Sequence, residues 1–169
     1  MKVNDYEIKP GAYLQGADLK GANLRCADLR WANLERADLS GANLYGVNLD
    51  GVNLYCAKLQ GAKLQGANLR CADLEGANLY GANLWCANLR GAKLEGADLR
   101  WAKLQGANLY GAKLQGANVT GTILEKKKEE SQDTTSLSQK VKELEEELKK
   151  YKDTLKALLD AWVSYTMCQ

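Results

Sequence analysis

From Ala12 to Lys126 the chain repeats every five residues, with no insertion and no deletion. The units read AYLQG, ADLKG, ANLRC, ADLRW and so on to ANVTG and TILEK, 23 in all. Leu holds the central position in 22 units, and Val119 takes it in the other. Two residues earlier stands Ala in 20 units, Val at 47 and 52, and Thr122 in the last. The position between them is mostly Asn or Asp, with Lys at 58, 63, 93, 103 and 113, and Gly closes 15 units.

A period of five matches neither the 3.6-residue turn of a helix nor a long alternating strand. Each interior glycine would cost a helix about 1 kcal/mol relative to Ala, and 15 of them exclude that fold. Ala and Leu stand two apart within a unit, so both point to one side of a short extended segment. Gly supplies a corner where the chain turns. Short extended segments joined by regular corners make a coil, and stacked coils make a solenoid.

The run A(D/N)LxG, repeated in phase over about two thirds of the chain, closely resembles the pentapeptide-repeat family. That resemblance implies an all-β fold, a right-handed quadrilateral β-helix with four units per coil. Twenty-three units then give just under six coils, a ladder roughly 27 Å long at the usual strand spacing. The opening VNDYEIKPGAYL is similar to bacterial, especially cyanobacterial, members. The domain plan is an N-terminal cap at 1–11, carrying Tyr6, Ile8 and Pro10, and a solenoid at 12–126. A polar linker at 127–136 and a helix at 137–166 complete it.

The helix is read from a change of period. Leu137, Val141, Leu144, Leu148, Tyr151, Leu155, Leu158 and Trp162 follow at spacings of four and three, the a and d positions of a coiled coil. Ser136 and Gln139 match a capping box ahead of it. With Val141 as a, Lys140 faces Glu145 and Glu147 faces Lys152 across a parallel pair. Both contacts join opposite charges, which predicts a parallel homo-oligomer, dimer or trimer, through 137–166. Packing of the helix on the solenoid is the competing expectation.

Twenty residues per coil bring the outward positions into columns. One column reads Arg30, Asp50, Arg70, Arg90 and Tyr110; a second, expected on the opposite side, reads Gln15, Glu35, Tyr55, Glu75, Glu95 and Gln115. The first predicts a candidate basic face, Arg30, Arg70 and Arg90, with an Arg30–Asp50–Arg70 charge ladder. Tyr80, Trp85, Arg100 and Trp101 form the candidate protein-binding patch, because Trp, Tyr and Arg dominate interface hot spots. Tyr80 and Arg100 share a column on neighbouring coils, within reach of a cation–π contact.

Chemistry is disfavoured at the outset. The chain has no histidine, the commonest general base and metal ligand. Its five cysteines include no CxxC pair, so neither a metal nor a cofactor is expected. Cys26 and Cys86 share a corner column but lie three coils apart, about 14 Å, too far for a disulfide. Free thiols without a secretory segment favour the cytoplasm, and no window approaches the ~20 apolar residues of a membrane span. The function expected is a non-catalytic structural or protein-interaction scaffold, its protein partner unnamed by the sequence. The alternative that the family resemblance supplies is a DNA mimic that binds gyrase or topoisomerase. Such a mimic needs a strongly negative surface, whereas residues 1–124 carry 14 basic and 11 acidic side chains. Nucleic-acid binding is disfavoured for the Arg column because Asp50 interrupts it.

Overall fold

The computed structural model describes residues 1–125 and 139–156. Two compact units emerge, Met1–Lys126 and Lys127–Gln169. The first opens with an antiparallel hairpin, β1 (Lys2–Val3) and β2 (Tyr6–Glu7), in which Lys2 pairs with Glu7 and Val3 with Tyr6. Asn4, in the left-handed region at φ 51°, makes the turn between them.

Beyond the hairpin every bridge is parallel and joins residue i to residue i+20, from Tyr13 with Asn33 to Asp98 with Asn118. One coil is therefore four pentapeptides. The hydrogen bonds are equally regular. Leu14 N–H donates to the Asn33 carbonyl (2.7 Å), and Asn33 N–H donates back to the Ala12 carbonyl (2.9 Å). At each corner an N–H reaches three residues back, as Ala17 to Leu14 (3.0 Å), with positive φ only at the third turn residue, Gly16. That combination is a type II turn, which demands a residue tolerant of the left-handed region.

This geometry explains the composition of the unit. Leu and Ala point inward, and from Leu29 to Leu99 the leucines are wholly buried. Each contributes about 1.5–3 kcal/mol of apolar burial before entropy is subtracted. The residue after Leu has no backbone partner for its N–H, and the Asn or Asp two positions earlier supplies one. All sixteen units with Asn or Asp there make this bond, for instance Glu35 N–H to Asn33 Oδ1 at 3.0 Å. Asparagines on successive coils also join side chain to side chain, Asn88 to Asn68 and Asn68 to Asn48 at 3.1 Å each.

The two ends of the ladder differ. Val3, Tyr6 and Ile8 pack on the core below the first coil, where Asn4 Nδ2 donates to the Asp18 carbonyl (3.1 Å). At the other end the N–H groups of Leu104, Leu109, Leu114 and Val119 have no backbone partner among the described residues. Glu125 accepts the Gly121 N–H there at 2.6 Å.

In the second unit residues 139–156 form a helix, exposed along its described length. Val141, Leu144, Leu148, Tyr151 and Leu155 lie on it with 48% to 69% of their surface open. Leu137, Leu158 and Trp162, the 127–136 segment and the capping box at Ser136 lie outside the described residues.

Candidate interaction surfaces

Four faces and four corners follow from the coil. Residues after Leu at 15, 20, 25 and 30 open the columns of faces one to four, and each column continues every twentieth residue. Arg30 and Glu35 belong to consecutive units, so the Arg column of face four and the Glu column of face one are neighbours meeting at the Trp31 corner. The expectation of opposite sides is corrected by that count: three units separate residue 15 from residue 30, and a fourth closes the coil.

The Arg30–Asp50–Arg70 ladder is also broken. Arg30 turns to Asp28 on its own strand, with Nε–Oδ1 at 2.9 Å and Nη2–Oδ2 at 2.7 Å. Asp50 pairs with Arg70 alone, at 2.7 Å. Two carboxylates lie within reach of Arg30, and the one two residues away offers the better fork. The hydrogen bonds from Arg30 hold the Asp28 carboxyl below its ordinary range, and those from Arg100 do the same for Asp98. Arg90 has no carboxylate partner among the described residues and lies over the Tyr110 ring, 5.7 Å from its centroid. Two of the three arginines of the column are thus neutralised.

The aromatic patch spans face two, a corner and face three. Arg100 lies 5.5 Å from the Tyr80 centroid and grips Asp98 with two hydrogen bonds. Trp101 leans away from Gly81 towards the following coil, its ring covering Gly121. Tyr80, Trp85 and Trp101 are 45%, 56% and 61% exposed.

Every corner with a small or aromatic substitute for Gly behaves like Trp101. Trp31 covers Gly51, and the sulfurs of Cys26, Cys56, Cys71 and Cys86 lie 2.9 to 3.6 Å from where a Cβ would stand on Gly46, Gly76, Gly91 and Gly106. The residue one coil later is Gly in all six cases. The four described cysteines are free thiols.

Face three escaped the columns drawn from the sequence, because two of its cations stand between Ala and Leu and not after Leu. It carries Arg25, Lys63 and Lys103, all exposed, and no carboxylate as far as Gly106. Tyr45 and Trp85 occupy the coils between those cations, with Arg25 stacked over Tyr45 at 4.8 Å. No ion pair engages the three cations among the described residues, whereas on face two Lys58 meets Asp38 and Arg100 meets Asp98. Among the described residues no three His, Cys, Asp or Glu side chains gather as a metal site. No described helix is long and apolar enough to cross a membrane.

A parallel ladder of pentapeptides, four to the coil, defines a β-helical solenoid that presents side chains outward. The pentapeptide-repeats profile matches eight copies over residues 11–41, 32–70, 57–96 and 92–126, and the chain belongs to that family. Among solved structures it is similar to Rfr23 of the cyanobacterium Cyanothece 51142, at 45% identity and a TM-score of 0.54. That match covers 56% of this chain and 65% of Rfr23, so the chain spans just under two thirds of that protein. The solenoid of such proteins is right-handed. The alr5209 protein of Nostoc PCC 7120 is 40% identical over 51% of this chain and 83% of its own, with a TM-score of 0.44. HetL of Nostoc sp. strain PCC 7120, involved in heterocyst differentiation regulation, is 35% identical over 66% of this chain and 65% of its own, with a TM-score of 0.29. No curated protein matches the chain.

Proposed function

We infer that the protein is a non-catalytic interaction scaffold, a rigid rod gathered into a parallel dimer or trimer by its C-terminal helix. The observation that carries this reading is the apolar stripe of 139–156. Five large side chains, Val141, Leu144, Leu148, Tyr151 and Leu155, stand at a and d positions and are 48% to 69% exposed. A stripe of that spacing is covered when equivalent stripes meet, and each buried Leu then contributes about 1.5–3 kcal/mol. Lys140 with Glu145 and Glu147 with Lys152 support a parallel arrangement. Gathering rods raises the effective concentration of weak sites, of which Tyr80, Trp85, Arg100 and Trp101 are the candidate for a protein partner. Four free thiols fit a cytoplasmic setting.

Replacing Leu144 and Leu148 together by Asp places charge in the seam. The expected result is loss of the oligomer with an unchanged solenoid signal in circular dichroism. An unaltered mass would refute the reading. The near balance of charge on the solenoid weighs against a gyrase-binding DNA mimic, and a supercoiling assay without inhibition would remove that alternative.

A further inference from the structure

We propose that face three is a binding surface for single-stranded nucleic acid, with Tyr45 and Trp85 as stacking platforms and Arg25, Lys63 and Lys103 as phosphate contacts. The five residues lie on five successive coils in the order cation, aromatic, cation, aromatic, cation. The bridges Asn23–Asn43–Lys63–Asn83–Lys103 fix that register. Coils stack at about 4.8 Å, so the row is about 19 Å long with charges about 10 Å apart. It is the face on which no carboxylate stands against the cations as far as Gly106. On face four Asp28 and Asp50 grip Arg30 and Arg70 and leave only Arg90 without a carboxylate among the described residues, and on face two Asp38 and Asp98 meet Lys58 and Arg100.

An acidic polypeptide would answer the three charges but has no use for rings on alternate coils. Single-stranded nucleic acid answers both, because unstacked bases have π faces and their phosphates recur along the strand. Duplex offers no free base face to Tyr45 or Trp85, so it would lose that half of the recognition. The objection raised by Asp50 concerns face four and does not reach this surface. Oligomerisation is not required for the contact, although it would multiply it.

The test is fluorescence anisotropy of a labelled oligothymidylate of about 12 nucleotides, within the span of ~4–16 that one small β-barrel covers, titrated with the full chain. Three phosphate contacts predict a slope of log affinity against log salt near −2 for a single strand. Lys63→Gln with Lys103→Gln should reduce that slope to about −0.7. Trp85→Ala should weaken binding about fivefold or more, and Lys58→Gln on face two should leave it unchanged. The variant with Leu144→Asp and Leu148→Asp should still bind, which separates this claim from the oligomer. No binding at about 50 mM salt, equal affinity for the matching duplex, or indifference to Trp85→Ala would each overturn the proposal. In the last case, equal binding of a polyglutamate peptide would identify the face as a site for acidic protein segments.

Discussion

The lean of the corner side chains allows the coil length to be tested covalently. Cys86 Sγ lies 2.9 Å from the position a Cβ would take on Gly106, one coil later. In a disulfide each sulfur sits about 3 Å from the partner's Cβ, so Gly106→Cys places the new thiol where a bond can close. The backbone accepts the substitution, because Gly106 has φ 69° and Cys already occupies corners at φ 54° at 56, 71 and 86. Closing a loop of about 20 residues stabilises the chain by roughly 3 kcal/mol in the loop-entropy account. Mild oxidation should therefore give a linkage between Cys86 and position 106 in peptide mapping by mass spectrometry. The oxidised protein should also unfold at higher urea than the reduced one. Gly96→Cys is the control: the nearest thiol in its column is Cys56, two coils or about 10 Å away, beyond the reach of a bond. A bridge in the control, or none in Gly106→Cys, would refute the 20-residue coil.

Three further outcomes follow from the same ladder. Leu69→Ala removes a wholly buried side chain from a central coil and should cost about 3–5 kcal/mol, whereas Leu114→Ala in the half-covered last coil should cost about 1–2 kcal/mol, both read by urea denaturation. Gly61→Ala meets open space and should cost about 1–2 kcal/mol for its left-handed backbone. Gly51→Ala must also displace the Trp31 ring, so it should cost more, and Trp31→Gly in the same chain should return it to the Gly61→Ala level. Hydrogen bonds from Arg30, Ser40 and Arg100 depress the carboxyls of Asp28, Asp38 and Asp98. A depressed folded-state pKa contributes stability above the unfolded value near 4 and loses it as pH falls through the folded value. With no histidine the solenoid's urea midpoint should be flat from about pH 5 to 8 and decline below about pH 4, and a midpoint that changes near pH 6.5 would contradict this.

The fold was legible because one five-residue unit states every local rule at once. Leu and Ala mark the interior, Asn or Asp satisfies the N–H two residues on, and Gly marks the type II corner. What the sequence hid lies in choices between equivalent neighbours. Arg30 stands between Asp28 and Asp50, and only side-chain geometry decides that it takes the first. A corner side chain is free to lean either way along the axis, and Trp31, Trp101, Cys26, Cys56, Cys71 and Cys86 all lean towards the next coil. Face three was missed because Lys63 and Lys103 stand in the position usually held by Asn or Asp. There they forfeit the local hydrogen bond and add charge beside the column of residues that follow Leu, not within it. The helix was legible from its heptads over the described span 139–156, and its apolar stripe is what the sequence cannot pair by itself.

A rod made multivalent by that helix is revealed by sedimentation equilibrium of the full chain over a range of concentrations. The expected mass is two or three times the 18.5 kDa of one chain, falling to one chain when Leu144 and Leu148 become Asp. A mass of one chain at every concentration would contradict it.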